Sequence, residues 1–290
     1  MQKKPLIGVL AVQGDFAAHR AAFARLGCET VEVRKSVDLE PADGLILPGG
    51  ETTTLIKILR ETGLWEGILS FAGEGRPLFG TCAGLILLAR EVTDPPQSSL
   101  GLLDVTVQRN AYGRQVDSFE VTGVLRVPTD LRTCMRRNGV PPDTSGGDAA
   151  DEAVGGTARA GTAAKITGTG TADKVTGTGA AAKVTGTEGA DKVARAELAT
   201  EFVFIRAPKI LSTDEEVEVL ARHDGNPILV RQGHILGASF HPELASQGAV
   251  ERLFLAMLAR AGAAPAGEVV PASEVVPASE VVPASGNGRG

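Results

Sequence analysis

The sequence predicts an α/β fold: a doubly wound, mostly parallel or mixed sheet with helices on both faces. Three observations carry that prediction. Short continuous apolar runs, as strands buried on both faces require, alternate with helix-period patterns. Glycine-rich turns follow two of these runs directly, at Pro48-Gly49-Gly50-Glu51 and at Gly80-Thr81-Cys82-Ala83-Gly84. In open α/β sheets, ligands bind at such carboxyl ends of strands. The second turn is Gly-x-Cys-x-Gly between the apolar pair Leu78-Phe79 and an apolar helical pattern over Leu85–Ala89. Strand, sharp turn and helix with a reactive side chain at the tip make a nucleophile elbow.

The elements follow in order. Leu6–Val12 is a continuous apolar run and reads as a buried parallel strand, ended by Gln13-Gly14-Asp15. A helix is expected from Phe16 to Leu26, with Phe16, Ala22, Phe23 and Leu26 along one side and Gly27 stopping it. Thr30–Val33 and Gly44–Leu47 are the next strands. After Pro48-Gly49-Gly50-Glu51-Thr52-Thr53-Thr54, the pattern Leu55, Ile56, Ile58, Leu59 is helical. Consecutive glycines let backbone N–H groups approach a ligand, and the threonines can equally serve as ordinary helix caps. Beyond the elbow, Leu102–Val107 and Ser118–Val121 read as strands. Between them lie Arg109 and Arg114, either ordinary solvated charges or a fork for a substrate carboxylate.

Residues 139–200 differ in kind. They are rich in Gly, Thr and Ala, and Lys165, Lys174, Lys183 and Lys192 recur nine apart. A nine-residue period can mark a β-solenoid, but one Val or Ile per repeat offers too little apolar area, so disorder is expected. The core resumes at Glu201–Pro208 and continues through Val217–Ala221, the turn Asp224-Gly225-Asn226, Ile228–Val230 and Ile235–Phe240. A last helix is expected over Gly248–Ala261. The tail, 263–290, repeats Glu-Val-Val-Pro-Ala-Ser, and its regular prolines deny it a helix or a central strand. The expected organisation is therefore one domain from 1–138 and 201–262, roughly 200 residues, with a low-complexity insertion and a disordered tail.

Composition narrows the function. A formal net charge of −6 gives no reason to expect nucleic acid or an anionic membrane as partner. Three cysteines at irregular spacing argue against a disulfide framework or a zinc site. No apolar stretch approaches a membrane span or a signal-peptide core, so the chain reads as soluble and cytoplasmic.

The chemistry centres on Cys82. It opens a helix, where free N–H groups and the helix dipole favour a thiolate, and the N–H of Ala83 points where an oxyanion forms. His241-Pro242-Glu243 follows another strand. In extended geometry residues i and i+2 share a face, so Glu243 can orient the imidazole while Nε2 reaches Cys82. Nucleophile, base and orienter then stand in the order Cys, His, Glu.

These motifs resemble class I, triad-type glutamine amidotransferases. The segments Gly8–Gly14, Arg109–Phe119 and Phe204–Pro208 are similar to the glutaminase subunit of pyridoxal 5′-phosphate synthase, over nearly all of the core. The resemblance implies Cys82 as nucleophile, His241 as acid/base and Glu243 as its orienter. It implies glutamine bound against Gly50, Glu51, Thr52, Arg109, Ile205 and Arg206, and an oxyanion hole from Gly50 and Ala83. It implies hydrolysis of L-glutamine through a glutamyl thioester, no metal or organic cofactor, and the barrel-shaped synthase subunit as partner receiving the ammonia. Two departures stand out: Thr52 replaces the usual Ser, and 139–200 replaces a short connection. The alternatives are a glutaminase serving another synthase, for example of the imidazole glycerol phosphate type, or a cysteine peptidase or chaperone-like protein on the same fold.

Overall fold

A computed structural model of the chain describes residues 4–109, 111, 118–137 and 196–262. The expectations for residues 139–195, for Arg114 with the rest of 112–117, and for the tail fall outside the described residues.

Among the described residues, twelve strands and six α-helices follow in order. They are β1 (Leu6–Leu10), α1 (Phe16–Arg25), β2 (Glu29–Val33), β3 (Gly44–Leu47), α2 (Thr52–Glu61), α3 (Leu64–Gly73), β4 (Leu78–Thr81), α4 (Ala83–Leu88) and β5 (Ala89–Thr93). Then come β6 (Leu103–Gln108), β7 (Phe119–Val127), α5 (Arg132–Arg137), β8 (Ala196–Phe204), β9 (Lys209–Thr213), β10 (Glu218–His223), β11 (Asn226–Gln232), β12 (Ile235–Ala238) and α6 (Ala249–Ala261).

Seven strands form the main sheet in the order β10-β11-β12-β4-β3-β1-β2. From β12 to β2 every pairing is parallel, while β10 and β11 extend the edge antiparallel, so the sheet is mixed. The chain leaves β1 for β2 on one side and reaches β3 on the other, which puts a topological switch point between β1 and β3. Smaller sheets β5-β6-β9 and β7-β8 flank it.

Strand side chains alternate between two cores, as the period of two demands. Leu45, Leu47 and Leu78 join Leu55, Leu59, Ile68, Phe71 and Leu85 on the α2, α3 and α4 side. Ile7, Val9, Ile46 and Phe79 join Phe23, Leu253 and Phe254 on the α1 and α6 side. Among the described residues, no helix is long and apolar enough to cross a membrane.

The structure differs from the sequence expectations in several places. Strand β8 begins at Ala196, ahead of Glu201, because Ala196–Phe204 pairs antiparallel with the whole of β7. Helix α4 stops at Leu88, and β5 starts at the next residue without a turn. Helices α3 and α5 and strand β9 were not anticipated.

Candidate active site

Four loops that leave the carboxyl ends of β1, β3, β4 and β12 meet over the sheet. The elbow after β4 is tight. Cys82 adopts φ 48°, ψ −102°, a conformation that costs a non-glycine residue of order 1–3 kcal/mol. Gly84 and Gly80 make it possible. A Cβ on Gly84 would run into the Leu47 carbonyl of β3, and one on Gly80 would lie 2.6 Å from the Gly84 backbone. The Cys82 N–H donates to the Ala238 carbonyl at 2.9 Å, tying the elbow to β12. The Cys82 carbonyl accepts the bond from the Ile86 N–H, so the amide of Ala83 belongs to the helix's unsatisfied first turn.

His241 stands beyond β12 and precedes a 3-10 turn, Pro242–Leu244. Here the geometry differs from the expected extended i, i+2 pair. The turn folds Glu243 back instead, and its Oε1 lies 2.8 Å from His241 Nδ1. That leaves Nε2 for the Cys82 thiol, which is close enough to help set the pKa of the ring. Gly49 lies against both residues: a Cβ there would lie 2.9 Å from His241 Cε1 and 3.3 Å from Cys82 Cβ. Cys82 is 9% exposed. Burial alone would lower the His241 pKa. Hydrogen bonds to Cys82 and Glu243, and the charges of both, outweigh that and raise it to about 10. Glu243 is also buried, which works to raise its pKa, but the hydrogen bond from His241 and the imidazoles of His19 and His241 beside it bring it below the ordinary value.

In the loop after β3 the helix is capped by a residue other than the threonines that the sequence offered as caps. Glu51 is the N-cap of α2, accepting from the N–H groups of Thr53 (2.9 Å) and Thr54 (2.7 Å). Those backbone bonds hold its pKa at about 2. Thr52 is buried, and its hydroxyl bonds the Gln97 side chain at 2.9 Å. Gly50 is exposed, and the next amide, that of Glu51, donates to Gln13 Oε1 at 3.1 Å.

Ile205 and Arg206 follow β8. The Val203 carbonyl accepts from the His241 N–H at 2.8 Å, which brings this segment beside the imidazole. Arg206 takes φ 47°, and Ile205 is partly exposed. Arg109 follows β6, and its N–H donates to the Thr93 carbonyl at 3.1 Å. Among the described residues, no group of His, Cys, Asp or Glu is arranged to hold a metal ion.

Three residues here escaped the sequence reading. Gln13, given no role of its own within the Gly8–Gly14 segment, and Gln97 brace the loop after β3. His19 of α1 is fully buried, with Nε2 3.0 Å from Thr81 Oγ1 and 3.4 Å from Glu243 Oε2. A signal for it exists: His19, Ala22 and Phe23 share the buried face of α1 at helical spacing, and a histidine on such a face needs a polar partner.

Comparison with known proteins adds the lineage. A profile of the SNO glutamine amidotransferase family matches residues 9–127 and 190–260. The pyridoxal 5′-phosphate synthase subunit PdxT of Thermotoga neapolitana is 36% identical over 252 residues, covering 87% of this chain and 98% of the relative. The subunit of the same name from Solibacter usitatus is 38% identical over 253 residues, covering 87% and 98%. A crystal structure described as a glutamine amidotransferase superposes with a TM-score of 0.60 at 36% identity, covering 87% of this chain and 98% of the other. A cysteine held in a strained elbow, with an imidazole and a carboxylate beside it, thus sits in a chain that belongs to the SNO glutamine amidotransferase family.

Proposed function

We propose that the chain hydrolyses L-glutamine to L-glutamate and ammonia as the glutaminase subunit of a pyridoxal 5′-phosphate synthase. The observation that carries this reading is the Cys82–His241–Glu243 array at the adjoining ends of β4 and β12, in a chain of this family.

Cys82 is the nucleophile. Its sulfur attacks the side-chain amide carbon of glutamine, and the oxyanion forms against the N–H groups of Ala83 and Gly50. His241, protonated in the resting pair, gives its proton to the departing nitrogen. Ammonia leaves and a γ-glutamyl thioester remains. The neutral imidazole then takes a proton from water, whose oxygen attacks the thioester carbon, and glutamate leaves as the Cys82–His241 pair is restored. Glu243 holds the ring in the productive orientation. Glutamine is bound by Gly50, Glu51, Thr52, Arg109, Ile205 and Arg206. With its carboxylate committed to capping α2, Glu51 acts through the shape of the loop.

Free ammonia at neutral pH is mostly ammonium and not a nucleophile, so direct delivery to a synthase site is the sensible arrangement. The partner is the synthase's barrel subunit, and its docking switches the Gly49-Gly50 peptide between presenting and withdrawing an N–H donor. The test is glutamate release by the purified chain, alone and with that subunit, beside a peptide-hydrolysis assay. Stimulation by a different synthase alone would move the chain to another amidotransferase. Peptide hydrolysis without glutaminase activity would reject the reading.

A further inference from the structure

We propose that His19 is a positioning residue of the Cys82–His241–Glu243 array, its Nε2–H facing the carboxylate oxygen of Glu243 that His241 leaves free. The inference rests on the glutaminase reading for its kinetic consequences but not for its geometry.

Glu243 gives Oε1 to His241 and turns Oε2 toward α1, where His19 Nε2 lies at 3.4 Å. The side chains of His19 and Glu243 are 0% and 1% exposed. Oε2 makes no hydrogen bond among the described residues, so His19 and Glu243 meet as a close dipole–charge approach. The tautomer follows from the surroundings. A proton on Nδ1 would bury an N–H with no acceptor, since that atom has no partner among the described residues, and would turn the Nε2 lone pair toward a carboxylate. A proton on Nε2 leaves only a bare lone pair at Nδ1; Nε2–H then serves Thr81 Oγ1, with Glu243 Oε2 3.4 Å from the same nitrogen. Burial keeps the ring neutral, so it contributes a dipole without a second positive charge next to His241. In a pocket closed to water that dipole supports the Glu243 anion, and the anion supports the His241 imidazolium. Thr81 precedes Cys82, so one hydroxyl ties His19 to the elbow.

Other charged groups face this cluster. Asp15 lies near His19, and Arg25 reaches the Glu243 carbonyl at 3.5 Å. Cys82 faces His241, and Glu251 of α6 faces Glu243 with Arg252 beside it. Glu251 titrates near neutrality, so the measurements are made in a Glu251→Gln background as well as in the natural chain.

The decisive contrast is His19→Gln against His19→Asn. Both are polar and smaller than histidine, but the glutamine amide nitrogen falls near Nε2 and the asparagine nitrogen near Nδ1. The rate of Cys82 alkylation by iodoacetamide against pH reads the Cys82–His241 pair without glutamine. His19→Asn should move the acid limb of that profile to higher pH, and His19→Gln should return most of the shift. In glutamate release, His19→Asn should lower kcat by about tenfold, with KM nearly unchanged. Equal profiles for natural chain, Gln and Asn variants would overturn the proposal, as would better rescue by Asn. A natural chain that alkylates normally but releases no glutamate would reject the glutaminase reading and leave this one standing.

Discussion

At the scale of single residues the site makes sharp demands. Cys82→Ala should abolish glutamate release while the fold persists, and His241→Asn should be nearly as damaging; Cys28→Ser and Cys134→Ser should retain activity. The strain at Cys82 adds a second expectation. Because φ there is 48°, Cys82→Gly should unfold at higher denaturant than Cys82→Ala, the glycine relieving about 1 kcal/mol or more of backbone strain. Equal midpoints would show the elbow to be unstrained. Glu251 offers a pH test. It is 1% exposed, neither carboxylate oxygen has a hydrogen-bond partner among the described residues, and burial raises its pKa from 4.5 to about 7. A raised carboxyl pKa means that folding takes up a proton between those values, so its contribution is full below 4.5 and lost as pH rises through 7. Glu251→Gln should therefore match the natural chain near pH 4.5 and exceed it in thermal stability at pH 8. A constant difference across that range would reject the buried acid as the cause.

Single elements show what a sequence can and cannot disclose. Strands β1, β3 and β4 were legible because strands covered on both faces must be continuously apolar. The elbow was legible because its geometry admits glycine at Gly80 and Gly84 and little else. Helix α3 was missed because Gly67 and Gly73 interrupt a segment that is apolar on several sides, leaving no clean stripe. The boundary between α4 and β5 was missed because Leu88-Ala89 passes from helix to strand with no glycine or proline to mark it. The pairing of Cys82, His241 and Glu243 could be anticipated from spacing, whereas His19 depended on the docking of α1 against the His241 turn, a contact no local pattern encodes. Helix α2 carries a prediction of its own. Glu51→Ala removes both capping bonds to Thr53 and Thr54 and should cost about 1 kcal/mol, read by urea denaturation. The depressed pKa of Glu51 implies stability that is present above 4.5 and lost as pH falls toward 2, and the Ala variant should lack that acid dependence.

For the whole molecule, two expectations concern assembly and chain connection. Glutamate release should rise at least about tenfold with saturating synthase subunit, a barrier change of roughly 1.4 kcal/mol. Equal rates would reject a docking switch. Deleting 141–194 and joining the ends should leave stability nearly unchanged, whereas a deletion running through Thr200 removes residues paired with Gly123–Val127 of β7 and should lower the denaturation midpoint. The adjacency of β4 and β12 has a further consequence, one of polymer statistics. Cys82 and His241 are joined by about 160 residues of chain, yet their strands are direct neighbours. Closing a loop that long is already costly, and the cost grows only with the logarithm of its length. The roughly 60 residues of 139–200 therefore add only about 0.4 kcal/mol to the closure. A connection so far along that curve is a place where a lineage can gain or lose dozens of residues and leave the meeting of thiol and imidazole almost untaxed.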